Sequence, residues 1–259
     1  VSWEYDENSA VVNTTFAYDV ELKEDLNDNL EETLSTLYRH QWLYTTNELT
    51  SFTYTSRSGE MKLHAGNSFS TSVVFDGIVP TMPDLGTYNR PQLISMVESV
   101  AQETIGSGPT YENGKEMGRF ARLVHIADQL NMTEERDYFL SEIKSRLEQW
   151  FTVGGQQEYV YNDEWSVMTG YPSGFGADNQ INDHHFHHGY AIMSAATIAQ
   201  YDPEWAAQDA WGGMVNLLIR DANSWDREDA LFPFLRGFDA YAGHSWAAGH
   251  GDFADGNNQ

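Results

Sequence analysis

The 259-residue sequence predicts an α+β chain of more than one domain, with a β-rich region over residues 1–88 and a helical region over 89–259. Three observations carry this. The early residues alternate polar and apolar in runs such as Thr15-Phe16-Ala17-Tyr18-Asp19-Val20 and Ser51-Phe52-Thr53-Tyr54-Thr55, the period of half-buried strands. From about residue 90 the apolar period changes to that of a helix, with Phe120, Leu123, Val124, Ala127 and Leu130 on one stripe and Phe139, Ile143, Leu147 and Trp150 on the next. The last 30 residues, from Asp229, mix glycine, histidine and aromatics with neither period and read as long loops.

Taken in order, Ser58-Gly59 marks a turn between two extended runs. Thr133 ahead of Glu134 and Glu135 fits an N-cap with acids in the first helical turn, so the first two helices meet near Asn131 as a helical hairpin. A second pair follows. Tyr190, Met193, Thr197, Ile198 and Tyr201 share one face, and Asp202-Pro203 reads as the cap and first residue of a helix from Glu204 to about Arg220. Repeated helix pairs after a β-rich region suggest a ring of paired helices attached to a sheet domain.

The charge balance narrows the partners. There are 39 acidic side chains against 14 basic ones, a formal net charge of -25, which repels nucleic-acid phosphates and anionic membrane surfaces. A neutral glycan is indifferent to that field, and an aromatic content of 14% suits stacking on sugar rings. Salt screens such self-repulsion, so a salt-rich, halophilic setting is expected. The absence of cysteine leaves neither disulfides nor thiolate metal sites. No apolar run approaches the roughly 20 residues that cross a bilayer, and Val1 opens in ordinary sequence without the basic and apolar stretches of a signal peptide.

The densest polar cluster is Asn182-Asp183-His184-His185-Phe186-His187-His188-Gly189-Tyr190, which follows the glycine-rich stretch 171–176. It supports three readings. His184 and His188 lie four apart, as two ligands of a helical metal site do, although a clear third ligand and the glutamate of the zinc-binding H-E-x-x-H pattern are missing. A packing reading makes Asp183 the N-cap of the following helix, with the imidazoles bonded to loop backbone. The third makes Asp183 a general acid, kept protonated by burial beside rings that hold sugar hydroxyls.

The same stretch closely resembles N-D-H-H-F-H-Y-G-Y, a hallmark of family 81 glycoside hydrolases, with His188 in place of the tyrosine. Leu37-Tyr38-Arg39-His40-Gln41-Trp42 is similar to the family's L-Y-P-H-Q-W, and Gly59-Glu60-Met61-Lys62-Leu63 to its G-x-M-K segment. The run from Phe232 to Trp246 resembles F-P-F-L-R-N-F-D-P-Y-A-G-H-S-W, so the blocks stand in family order over nearly the whole chain. The resemblance implies the C-terminal part of a β-sandwich plus a small connecting domain, then an incomplete (α/α)6 barrel. It also implies endo-acting, inverting hydrolysis of β-1,3-glucosidic bonds in laminarin-like glucans, without metal or other cofactor, by a secreted monomer.

By the same carry-over Asp183 is the acid that protonates the leaving oxygen. His184, His187, Asp239, Tyr241, His244 and Trp246 line the glucan cleft, while Tyr38, His40, Trp42 and Lys62 are packing residues. Inversion also needs a carboxylate base, roughly 6.5 to 9.5 Å from the acid. In the family pattern it is a glutamate of an E-S-S-S-E stretch that follows D-G-x-N-Q, matched here by Asp255-Gly256-Asn257-Asn258-Gln259, so the base is expected just after Gln259. Asp178, Asp239, Asp252 and Asp255 are carboxylates near these motifs that do not occupy the base position. A glucan-binding protein without catalysis would use the same aromatic cleft.

Overall fold

The computed structural model describes residues 1–21, 33–79 and 81–245. They form two compact units, Val1–Ile78 with Ala240–Gly243, and Val79–Asp239 with residues from His244 onward. Helices and small antiparallel sheets give a mixed α+β chain.

The first unit contains β1 (Ser2–Asp6), β2 (Val11–Ala17), β3 (Leu34–Leu37), the single-turn helix α1 (Arg39–Trp42), β4 (Thr53–Ser56), β5 (Gly59–Ala65) and β6 (Ser68–Val74). One three-stranded sheet has the order β1-β2-β6 and the other β3-β5-β4, with β4 and β5 forming the hairpin that turns at Ser58. Phe16 stands opposite Phe69 across β2 and β6, their rings stacked at 4.8 Å, and Leu37 completes a small buried core. Trp42 Nε1 donates to Glu60 O at 3.0 Å and the Lys62 ammonium sits 4.0 Å over its ring, so both side chains fix α1 against β5.

The second unit carries α2 (Arg90–Val100), α3 (Thr110–Gln129), α4 (Thr133–Trp150), a hairpin of β7 (Glu158–Asn162) and β8 (Val167–Tyr171), then α5 (His184–Tyr201) and α6 (Gly212–Asn223). Two short strands, β9 (Phe238–Asp239) and β10 (His244–Ser245), pair near the end of the described chain. The two apolar stripes meet as their period requires. Phe120, Val124 and Ala127 on α3 and Phe139, Ile143 and Leu147 on α4 are fully buried, with the Phe120 and Phe139 rings edge to face at 5.2 Å. Asn131 takes the left-handed conformation, and Met132 N donates to Ala127 O while Asn131 N donates to Asp128 O, a Schellman ending for α3.

Helix α5 lies against α3, α4 and α6 and is buried on more than one side, through Ala191, Ser194, Ala195, Thr197 and Ile198. Its contact with α3 depends on Gly114, because a Cβ there would stand 2.9 Å from Tyr190.

Four expectations need correction. Thr133 is the first helical residue of α4 and Met132 occupies the cap, one position earlier than the acid pattern suggested. The helix expected from Glu204 begins at Gly212. Residues 203–211 instead form successive turns, with Trp211 N on Trp205 O and Gly212 N on Ala207 O. Asp202 does cap, but only the first of these turns, by accepting from Trp205 N at 3.1 Å. The β7–β8 hairpin stands inside a region read as helical. Finally, Tyr190 and Met193, expected on the apolar face of α5, are only partly covered.

Candidate active site

The loop from Gly174 to Asp183 delivers the polar cluster to the start of α5. Backbone bonds from Ala177 N to Gly174 O and from Gln180 N to Gly176 O fold it on itself, and Asn182 Nδ2 ties it back to Phe175 O at 2.8 Å. Phe175, Ile181 and Asp183 all have positive φ, at 54°, 53° and 52°. Such conformations cost roughly 1–3 kcal/mol each and persist where the surroundings impose them, often at functional sites.

Asp183 occupies the N-cap of α5, yet its side chain accepts no capping bond. It is half-buried, and burial raises its carboxyl above the ordinary aspartate range. His187, one turn on, is 2% exposed, and its Nδ1 lies 2.7 Å from Thr110 Oγ1 at the start of α3. Thr110 packs on Gly170 of β8, where a Cβ would come within 2.1 Å of the threonine methyl. Burial, with His188 alongside, pushes the His187 imidazole down to about 4, so the ring is neutral near pH 7. Its Nε2, and Oδ1 of Asn182, have no hydrogen-bond partner among the described residues.

The next element of the face is aromatic. Tyr190 follows His187 by three residues on α5, and Tyr111 stands beside them with ring centroids 5.4 Å from His187 and 5.8 Å from Tyr190. Burial raises the Tyr190 phenol above its usual range, and its neighbours Tyr111 and Asp183 add to the effect.

Beneath this face lies a charge that sequence reasoning missed. Asp221 of α6 is wholly buried, with His188 Nε2 at 2.9 Å and His184 Nε2 at 3.1 Å from its Oδ2. Met168 N of β8 donates to the same oxygen at 2.8 Å, and Arg236 Nη2 lies 2.7 Å from Oδ1. Burial alone would raise the Asp221 carboxyl; the hydrogen bonds from His184 and His188 outweigh it and hold the group well below the carboxylate range. Burial pushes His184 down to about 3, so a neutral ring faces the carboxylate.

His184, His188 and Asp221 also form the one trio among the described residues whose ligand atoms lie close enough to share a metal, within 4.8 Å of one another. The donor types suit zinc. The carboxylate, however, already has a guanidinium on one oxygen and an amide N–H on the other, so a dication here would sit beside Arg236. A protein-only ion-pair network accounts for the geometry.

The remaining expected site residues separate. His184 is 5% exposed with its Nε2 against Asp221, which makes it a holder of the helix start. Asp239 and His244 are paired across β9 and β10 and are partly buried. Tyr241 belongs to the first unit, where its ring meets Phe16, Tyr38 and Phe69 and its carbonyl accepts from Gln41 Nε2 at 3.1 Å. Trp246, Asp252 and Asp255 lie outside the described residues, and Asp178 is exposed. A cleft of about 520 Å³ lined by Met82, Tyr88, Leu93, Arg122 and His125 contains none of the expected site residues.

A carboxyl whose pKa is raised by burial, free of capping duty and set beside a neutral imidazole and phenol groups, has the environment of a group that donates a proton to a leaving oxygen, as a glycosidase acid does. The comparisons agree with that class. Residues 92–259 match the model of the glycosyl hydrolase family 81 C-terminal domain. A glucan endo-1,3-beta-D-glucosidase of Acetivibrio thermocellus is 44% identical over the whole chain, and one of Thermobifida fusca is 40% identical. The solved structure of a family 81 glycoside hydrolase from Clostridium thermocellum, a glutamate-to-alanine mutant, superposes with a TM-score of 0.85 at 44% identity over 100% of this chain and 36% of its own. The chain belongs to glycoside hydrolase family 81. It spans about a third of the length of these curated relatives, 34% and 35%.

Proposed function

We propose that the protein to which this chain belongs hydrolyses internal β-1,3-glucosidic bonds of laminarin-like glucans with inversion, and that Asp183 is its general acid. The observation that carries the reading is Asp183 itself: a helix N-cap position in a left-handed backbone, with no capping bond and a carboxyl raised by burial. An N-cap aspartate normally accepts from the helix and is stabilised as the anion. Here that use is forgone, and the proton is available to the glycosidic oxygen.

His187 supports the reading. Its Nδ1 is held against Thr110, and the buried neutral ring stands one helical turn beyond Asp183, where it keeps the surroundings of that carboxyl apolar and free of cationic charge. The water-activating base is assigned to the glutamate that follows Gln259 in the family pattern. Asp239 and His244, which the sequence reading placed along the cleft, are proposed as outer contacts of the glucan. The expected architecture is a β-sandwich with a connecting domain ahead of an (α/α)6 barrel, and the setting is extracellular, with the acidic surface suited to high salt. Among the described residues no helix is long and apolar enough to cross a membrane.

The test is reducing-sugar release from laminarin by three proteins: this chain, the chain extended through the E-S-S-S-E stretch, and the extended chain with Asp183→Asn. Activity confined to the unsubstituted extension is expected, with a loss of about 10²- to 10⁴-fold on removing the acid. Full activity in Asp183→Asn would assign the acid elsewhere. Binding of laminarin without turnover by every form would favour the glucan-binding alternative.

A further inference from the structure

We propose that Phe175 and Tyr111 form an aromatic platform on which a glucosyl ring flanking the scissile bond stacks. This rests on the glucan reading above and adds a substrate contact that the sequence motifs did not assign.

Phe175 is 53% exposed although it is a phenylalanine, and it is fixed there. Its φ of 54° is a conformation that bulky side chains rarely adopt, and the carbonyl bond from Asn182 Nδ2 at 2.8 Å holds the strained residue in place. Local strain that keeps an apolar ring half in water does not serve core packing. The anchor is Asn182, the residue before Asp183, so the ring is tied to the acid through one peptide unit.

Tyr111 supplies the second ring. Its centroid lies 4.6 Å from that of Phe175 with a 53° tilt, and Phe186, His187 and Tyr190 back it at 6.2, 5.4 and 5.8 Å. The loop cannot drift from this partner freely, since Gly174 abuts Pro109, two residues before Tyr111, where a Cβ would stand 3.0 Å from the proline Cβ. A β-linked glucosyl unit carries its hydroxyls around the ring edge and presents C–H faces above and below. Such a face matches an exposed aromatic ring, and Phe175 with Tyr111 behind it offers one beside the loop that carries the acid.

Calorimetric titration of laminarihexaose tests this in the chain carrying Asp183→Asn, so that ligand is not consumed. Adding Phe175→Ala or Phe175→Leu is expected to weaken binding about tenfold, whereas Phe175→Tyr keeps affinity within about twofold, because an aromatic face and not mere apolar bulk is required. Melting temperatures of all three variants are expected to stay with the parent, as the ring is exposed. Equal affinity of parent and Phe175→Ala overturns the platform and leaves the glucan reading standing. A parent that fails to bind laminarihexaose overturns both. A lowered melting temperature in Phe175→Ala with unchanged affinity likewise rejects the platform and makes the ring a packing residue.

Discussion

Two carboxyl groups attend the first two turns of α5, and their surroundings push them in opposite directions. Asp183 caps the helix without bonding it and is driven toward the protonated form by partial burial. Asp221 is more deeply buried, yet two imidazoles, an amide and a guanidinium keep it ionised. Burial by itself therefore does not decide protonation here; the number of donors does. The deeper group anchors the helix at whose N-cap the shallower one stands.

The largest effect is expected from breaking the anchor. Asp221→Ala would strand Arg236, His184 and His188 without their acceptor, and loss of one partner from a buried ionic network costs about 3–5 kcal/mol. Chemical denaturation would register it, while Asp183→Ala should change stability far less. A loss under about 1 kcal/mol at Asp221 would remove the distinction between the two groups.

Acid should separate them next. His184 and His187 have folded pKa values of about 3 and about 4, below the ordinary 6.5, so the stability linked to them is present above pH 6.5 and lost as pH falls through that window. The limiting slope is roughly 1.4 kcal/mol per pH unit for each ring. Asp221, also lowered, keeps its contribution above its ordinary 3.8 and gives it up only below that. Denaturant unfolding at pH 7, 5.5 and 4.5 should show a steep decline, and a flat profile would contradict the buried neutral rings.

The smallest effect concerns Asp183 alone. Its folded pKa is raised, so the stability linked to it is present at low pH and lost as pH rises through the folded value. Asp183→Asn carries no such loss and should melt slightly above the parent at pH 8 and level with it at pH 4. Because the group is only half-buried, solvent screening keeps the difference small.

Much of this was legible in the sequence, for identifiable reasons. The α3 and α4 stripes are long and regular, and every residue of the α4 stripe is buried. Asp183 stood in a dense, family-like motif. Asp221 gave no such signal, since one aspartate near the end of an amphipathic helix reads as a solvated charge, and its partners come from 15 to 53 residues away. The β7–β8 hairpin was findable: Tyr159-Val160-Tyr161 is a run of aromatic and β-branched residues, but it is short and lies between long helices. The start of α6 was misread because Pro203 is a strong opening signal that here opens only a run of turns.

The Asp221 network joins β8, α5, α6 and the Arg236 loop, whose guanidinium also bonds Ser166 O across 70 residues of chain. Contacts of such separation close only after the intervening segments have assembled. The network therefore works as a latch in time as well as in space. Weakening it is expected to speed unfolding of the helical unit more than it slows folding, so a charge that never meets solvent would set how long α5 stays in place.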